Sequence, residues 1–374
     1  MSLSYIKPLD GIRFLAVTLV LLDHWSGDNM GFPAGYLGVC LFFVLSGFLI
    51  TRILLQAKHK DDQKGVSHTA SIKRFFIRRT IRIFPLYYLT LMFLYLADVP
   101  PIREKILWLI SYSANIYMAL NATWLGSSDH LWSLAVEEQF YLFFPFLIFF
   151  LPFTQLSRLF PALVVFSVAL RAYFFYTNAS WIVPYVLVFT CLDAFGLGAW
   201  LAWLQWTKNQ QAEKIFSSVY TLLISLLAYI GLLLFEKNSQ LEPHNELIVV
   251  WLRLFESILS VSLIGYVSWG IPKKSTSFAS ILEKLLLFPL FVYIGKVSYG
   301  IYIFHNFVYN TYHTPASHPT ARLLGHIHQA LPWFQSSWLF SFFLFYAITL
   351  LLASISWYLF EKPINRWKDK FTYE

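Results

Sequence analysis

The chain has 374 residues, 57% of them hydrophobic and 20% aromatic, against 13% charged, and its mean hydropathy is +0.57. A soluble domain carries about 25% charged residues, so this composition excludes a water-soluble globular protein and indicates an integral membrane protein. The formal net charge of +8 would suggest nucleic acid in a soluble chain; here the basic residues gather in particular loops, which reads as membrane topology.

Ten apolar stretches of near-spanning length follow one another, at 10–27, 35–57, 82–98, 131–151, 159–177, 184–206, 216–235, 248–270, 285–307 and 336–360. Repeated segments of about 20 residues predict an all-α, polytopic membrane helical bundle of about ten transmembrane helices, not a barrel. The stretch 106–120 is apolar but short, and reads as an interfacial or re-entrant helix. The first stretch carries Arg13, Asp23 and His24 with no small-residue cleavage site after it, so it is expected to be a retained span rather than a signal peptide.

Loop charge orients the bundle. With both termini cytoplasmic, the inner segments hold Lys7, the cluster from Lys58 to Arg82, Arg158, Lys208, Lys214, Lys273, Lys274, Lys284, Lys362, Arg366, Lys368 and Lys370. The outer loops hold only Arg103, Lys105, Lys237 and Arg322. That asymmetry is the positive-inside pattern of a multi-pass protein of the cytoplasmic (inner) membrane. Residues 1–374 read as a single membrane domain, with no soluble domain attached. No internal repeat is visible, which counts against a transporter built from duplicated halves. Cys40 and Cys191 lie in apolar stretches and read as small buried residues. His313, His318, His326 and His328 share one outer loop without tight ligand spacing, so no metal is expected.

Four constellations carry chemistry. Arg13 and His24 are eleven residues apart, which at about 100° per residue returns to nearly the same helix face about 16 Å further along. Charged residues inside a span are costly and mark functional sites, so this face is suited to an anion at one end and proton chemistry near mid-bilayer. In KRFFIRRTIRIFPLYY (73–88), Arg79 and Arg82 share a face by their i,i+3 spacing. They serve either as a topogenic collar or, with Arg13 on the same rim, as bidentate partners of a phosphate or pyrophosphate.

In DHLWSLAVEEQFYLFFP (129–145), Ser133, Glu137 and Tyr141 fall on one face at i, i+4 and i+8. Glu137 and Glu138 point about 100° apart, so one is a candidate acid–base or orienting group and the other caps or pairs at an interface. His130 and Trp132 sit toward the outer mouth, where Trp124 and Trp132 are candidates to stack on a sugar ring. In KVSYGIYIFHN (296–306), an aromatic belt accounts for Tyr299 and Tyr302, while His305 stands either as a structural or as a substrate-binding residue.

Together these motifs resemble the acyltransferase-3 family of membrane O-acyltransferases. The matching elements are LDGIRFLAVTLVLLDH, GVCLFFVLSGFLI, RRTIRIFPLYY, HLWSLAVEEQFYLFFP, SYGIYIFH and SWYLFEKPINRW, in family order from end to end. The resemblance implies transfer of an acyl group, usually acetyl, from cytoplasmic acyl-CoA to a hydroxyl of an extracytoplasmic or lipid-linked carbohydrate. It implies His24 as the catalytic histidine, Arg13, Arg79 and Arg82 as the conserved arginines binding acetyl-CoA, and Glu137 and Glu138 as the family's paired acidic element. His130, Trp132, Ser133, Tyr141 and His305 are the expected acceptor-side residues. No hydrolase-like extension with a serine nucleophile is seen, which favours a lipopolysaccharide, capsule or exopolysaccharide acceptor. The rival expectation is a transporter or flippase of a lipid-linked glycan, which would move substrate without coenzyme A and tolerate replacement of His24.

Overall fold

The computed structural model describes residues 5–30, 32–239, 241–242, 244–269, 277–334 and 337–371. Lys273 and Lys274, counted above among the inner charges, lie outside them. All regular structure among the described residues is helical: α1 (Pro8–Ser26), α2 (Ala34–Lys64), α3 (Thr69–Leu96), α4 (Ile102–Ile110), α5 (Ala114–Asn121), α6 (Leu131–Phe150), α7 (Phe153–Tyr176), α8 (Ile182–Val186), α9 (Leu192–Trp206), α10 (Gln210–Phe216), α11 (Val219–Asn238), α12 (Arg253–Ser268), α13 (Ser277–Leu286), α14 (Pro289–Lys296), α15 (Ser298–Val308), α16 (Pro319–Ala330), α17 (Trp338–Ser356) and α18 (Lys362–Asn365), with short 3₁₀ and π turns between or beside them.

Among the described residues, seven helices are long and apolar enough to cross a membrane, or eight if the bent pair Phe278–Leu286 and Pro289–Lys296 forms one span. That is fewer than the ten expected, for identifiable reasons. α1 is 19 residues long but carries Asp10, Arg13 and Asp23, and the apolar run of α3 is interrupted by Arg79 and Arg82. The stretch 285–307 is not one rod. It is broken near Pro289, with a 52° bend, and again at Val297 between α14 and α15. Residues 106–120 do not span: they are divided between α4 and α5, with Tyr112 in the left-handed region between them.

α2 is the hub. It packs against α1, α6, α9 and α12, and apolar residues bury on every side of it, as a fully enclosed helix requires. Close approach to α9 is made possible by two glycines: a Cβ on Gly47 would strike the Phe195 backbone, and one on Gly198 the Val44 backbone. Such small-residue contacts are how helices associate in lipid, where no hydrophobic drive brings them together. α7 and α11 lie at the periphery and keep large apolar side chains outward, among them Val165, Phe166, Ile224 and Leu227. A buried ion pair, Arg171 to Asp193 at 2.9 Å, ties α7 to α9. Cys40 and Cys191 are both buried and free.

Candidate active site

Between α1, α2, α3, α6 and α15 lies a cavity of about 350 Å³ lined by Arg13, Arg79 and Arg82, by Ser46, Glu137 and Tyr141, and by Ser133 and Tyr302. Arg13 pairs with Asp10 at 2.6 Å, and Tyr5 donates to the same carboxylate. Tyr5 is outside the helices, and its partial burial pushes the phenol up to about 12. Arg79 lies over the Tyr141 ring, 4.4 Å from its centroid, a cation–π contact that holds the guanidinium without neutralising it. Neither Arg79 nor Arg82 makes an ion pair among the described residues.

The i, i+4, i+8 face of α6 points into this space. Glu137 accepts from the Ser46 and Tyr141 hydroxyls, which are themselves 2.9 Å apart. Ser133 Oγ is 2.5 Å from the Tyr302 hydroxyl, which also donates to the His130 carbonyl at 3.0 Å. Glu138 does not line the cavity; it lies on the side of Tyr87, Tyr88, Tyr112 and Tyr299.

On the other side of Tyr302, three histidines meet. His24 Nδ1 is 2.8 Å from His305 Nε2, and the rings stack with centroids 5.0 Å apart. The His130 ring meets His305 edge-on at 4.9 Å. His130 and His305 are 1% and 0% exposed, while His24 keeps partial access.

The hydrogen-bond pattern fixes the tautomers. His305 Nδ1 is 2.7 Å from the Tyr302 carbonyl. A carbonyl only accepts, so Nδ1 carries the proton and His305 Nε2 is a lone pair. His24 Nδ1 must then donate to it, which leaves His24 Nε2 as an unprotonated nitrogen with no partner among the described residues. His130 follows the same rule: Nε2 donates to the Ile303 carbonyl at 3.2 Å, and Nδ1 is buried without a partner among the described residues.

Beyond the histidines lies a further pocket of about 760 Å³ that includes Trp124, Ser127, Asn306 and His313. His313 Nε2 contacts Asp129 Oδ2 at 2.6 Å, and that hydrogen bond holds the His313 pKa above the usual histidine value. A separate cavity of about 250 Å³ joins Trp124 and Trp181 to Asp23, Arg253 and Glu256.

Sequence expectations and structure meet unevenly. Arg13, Arg79, Arg82, Glu137, Ser133 and Tyr141 share one cavity, and His24, His130 and His305 form one cluster. His24 lies in the last turn of α1. Its ring partner is His305, not a carboxylate. Trp132 is not at an open mouth: it is 5% exposed and packed on Tyr36, Phe43 and Tyr185. Tyr299 and Tyr302 are not a lipid-facing belt, because both turn inward; Tyr299 donates to the Ile83 carbonyl at 2.7 Å. Ser46 was not singled out by sequence, although it stands in the SGF element of α2, where a hydroxyl amid apolar residues is the only cue.

No solved structure matches the chain. Among named proteins, the chain is 30% identical over 334 residues to the peptidoglycan O-acetyltransferase OatA of Listeria monocytogenes, covering 81% of this chain and 49% of that protein. It is 26% identical over 394 residues to the O-acetyltransferase OatA of Staphylococcus aureus, covering 98% of this chain and 58% of that protein. The chain thus spans about half the length of these relatives. The acyltransferase domain model of the acyltransferase-3 family matches residues 6–359, nearly the whole chain, and the chain belongs to that family.

Proposed function

We propose that the protein is an O-acyltransferase of the cytoplasmic membrane that moves an acetyl group from acetyl-CoA to a hydroxyl of an extracytoplasmic or lipid-linked envelope carbohydrate. The observation that carries this reading is the free Nε2 of His24, held as a base by a hydrogen-bonded chain that ends on the Tyr302 carbonyl. A neutral imidazole with a fixed tautomer and an orienting partner is the arrangement general-base catalysis needs.

In this reading Arg13, Arg79 and Arg82 bind the phosphates of the donor, and Glu137, Tyr141 and Ser133 line the path of its pantetheine arm. The cavity ends at Ser133 and Tyr302, so bringing the thioester to His24 requires displacement of the Tyr302 ring. His24 Nε2 then takes the proton of the acceptor hydroxyl as its oxygen bonds the thioester carbonyl carbon. The carbon–sulfur bond breaks, the sulfur leaves as thiolate, and His24 returns the proton to it. His305 holds the ring through Nδ1 and stabilises the transient imidazolium, the part a carboxylate plays in a hydrolase triad. The names of the relatives support an envelope glycan as acceptor.

Purified protein incubated with radiolabelled acetyl-CoA, with and without a cell-envelope glycan fraction, tests this. Label in the glycan is the expected result. Movement of a lipid-linked glycan across proteoliposomes without coenzyme A, and no label in it, would favour the flippase and contradict the reading.

A further inference from the structure

A second cavity, of about 260 Å³, adjoins the first and shares Ile53, Arg79 and Arg82 with it. Its remaining lining includes Gln56, Phe75, Arg78 and Lys368. Arg79, Arg82 and Lys368 therefore face one space, and no carboxylate lines it among the described residues. In the first cavity, by contrast, Glu137 stands opposite the arginines.

Lys368 belongs to the segment after the last long helix, and Arg78 fixes it there. The Arg78 guanidinium donates to the Lys368 carbonyl at 2.8 Å and to the Phe371 carbonyl at 3.0 Å. Its hydrogen bonds thus tie the C-terminal segment against α3, which sets the Lys368 ammonium at the cavity wall. Gathering like charges such as Arg79, Arg82 and Lys368 around a space is unfavourable unless an anion enters it.

We infer that this second cavity binds the 3′-phosphorylated nucleotide end of the acyl-CoA donor, with Lys368 as the residue that reads the 3′-phosphate. The inference rests on the acetyl-CoA reading above and extends it. The order of groups along the donor matches the order of residues along the two cavities. The thioester and pantetheine are thin and uncharged, and they face the stretch of the first cavity from Tyr302 past Ser133 and Tyr141 to Leu49. The diphosphate follows, at Arg79 and Arg82, the residues common to both spaces. The ribose 3′-phosphate comes last, at Lys368. The diphosphate and the 3′-phosphate each carry roughly two negative charges, which suits a lining that presents Arg79, Arg82 and Lys368. Arginine forks suit the diphosphate, and a lysine suits a single phosphate as a point charge.

The test compares acetyl-CoA with acetyl-3′-dephospho-CoA as donors for wild type, Lys368→Ala and Lys368→Arg, in an uncharged detergent. Wild type is expected to favour acetyl-CoA by roughly tenfold or more in kcat/KM, through KM, from one charge-assisted contact. Lys368→Ala should lose that preference while using the dephospho donor as well as wild type does, and Lys368→Arg should keep most of it. An equal loss with both donors would make Lys368 a structural residue and overturn the inference. Transfer from both donors at equal efficiency by wild type would overturn it while leaving the acetyl-CoA reading intact; transfer from neither would remove both. An acidic lipid headgroup is the rival anion. Added phosphatidylglycerol should leave the donor preference unchanged, and its loss on lipid addition would assign the cavity to lipid.

Discussion

At the arginine end of the site, Arg13, Arg79 and Arg82 share a cavity with Glu137; Arg13 is held by the Asp10 carboxylate, Arg79 by the Tyr141 ring and Glu137 by two hydroxyls. Beyond Tyr302, three histidines pack together, and no carboxylate hydrogen-bonds to any of them among the described residues. Their outward nitrogens are set by main-chain carbonyls, at Tyr302 and Ile303. The first arrangement suits holding an anion; the second suits keeping an imidazole neutral, with one nitrogen free. A buried carboxylate beside His24 would raise its proton affinity; a second imidazole orients it without adding charge. In the proposed reading, binding and proton transfer are thus divided between two electrostatic environments only one tyrosine apart.

Substitutions on the two sides should therefore fail differently. His305→Ala removes the acceptor for His24 Nδ1–H and should lower kcat by about 10²-fold with little change in donor KM. His305→Gln restores an acceptor oxygen, and should retain activity within about tenfold of wild type. Equal loss in both variants would mean that His305 does more than orient. Arg79→Ala should instead raise the donor KM by roughly 10–100-fold, the cost of charge-assisted hydrogen bonds. Arg79→Lys should recover only part of this, because a lysine has no fork and a weaker hold on the Tyr141 face. A kcat defect without a KM change in the Arg79 variants would erase the division between the two sides.

Away from the site, Gly47→Ala should destabilise the bundle by about 1–3 kcal/mol through the clash with the Phe195 backbone, seen as a lower melting temperature in detergent. The smallest effect concerns the rim at His313. The Asp129 hydrogen bond raises the His313 pKa. Its contribution to stability is therefore full below the unfolded histidine value of about 6.5 and is lost as pH rises through the higher folded value. Asp129→Asn should flatten this step in the pH dependence of the melting temperature; an unchanged profile would show that the pair contributes nothing.

Much of this division is legible in the sequence, where the geometry is local. Helical spacing alone places Ser133, Glu137 and Tyr141 on one face, and the roughly 100° between adjacent residues tells that only one of Glu137 and Glu138 can join them. The structure selects Glu137. Spacing likewise relates Arg13 to His24. What is not legible is which helix meets which. His305 is 281 residues from His24, and Ser46 is 91 from Glu137, so neither pairing leaves a periodic trace. Tyr299 and Tyr302 were misread because a tyrosine near a helix end serves an interfacial belt and a buried hydrogen bond equally well. The span count suffered for a related reason: composition registers 285–307 as continuous, while Pro289 and the turn at Val297 divide it.

The central claim is that His24 Nε2 is the base in acyl transfer. Its most direct test is the rate of acetyl transfer from acetyl-CoA to envelope glycan by purified His24→Ala, alongside its binding of coenzyme A. The expected result is a loss of kcat of roughly 10²–10⁴-fold with coenzyme A binding within a few-fold of wild type. Transfer at the wild-type rate by a folded His24→Ala protein would contradict it.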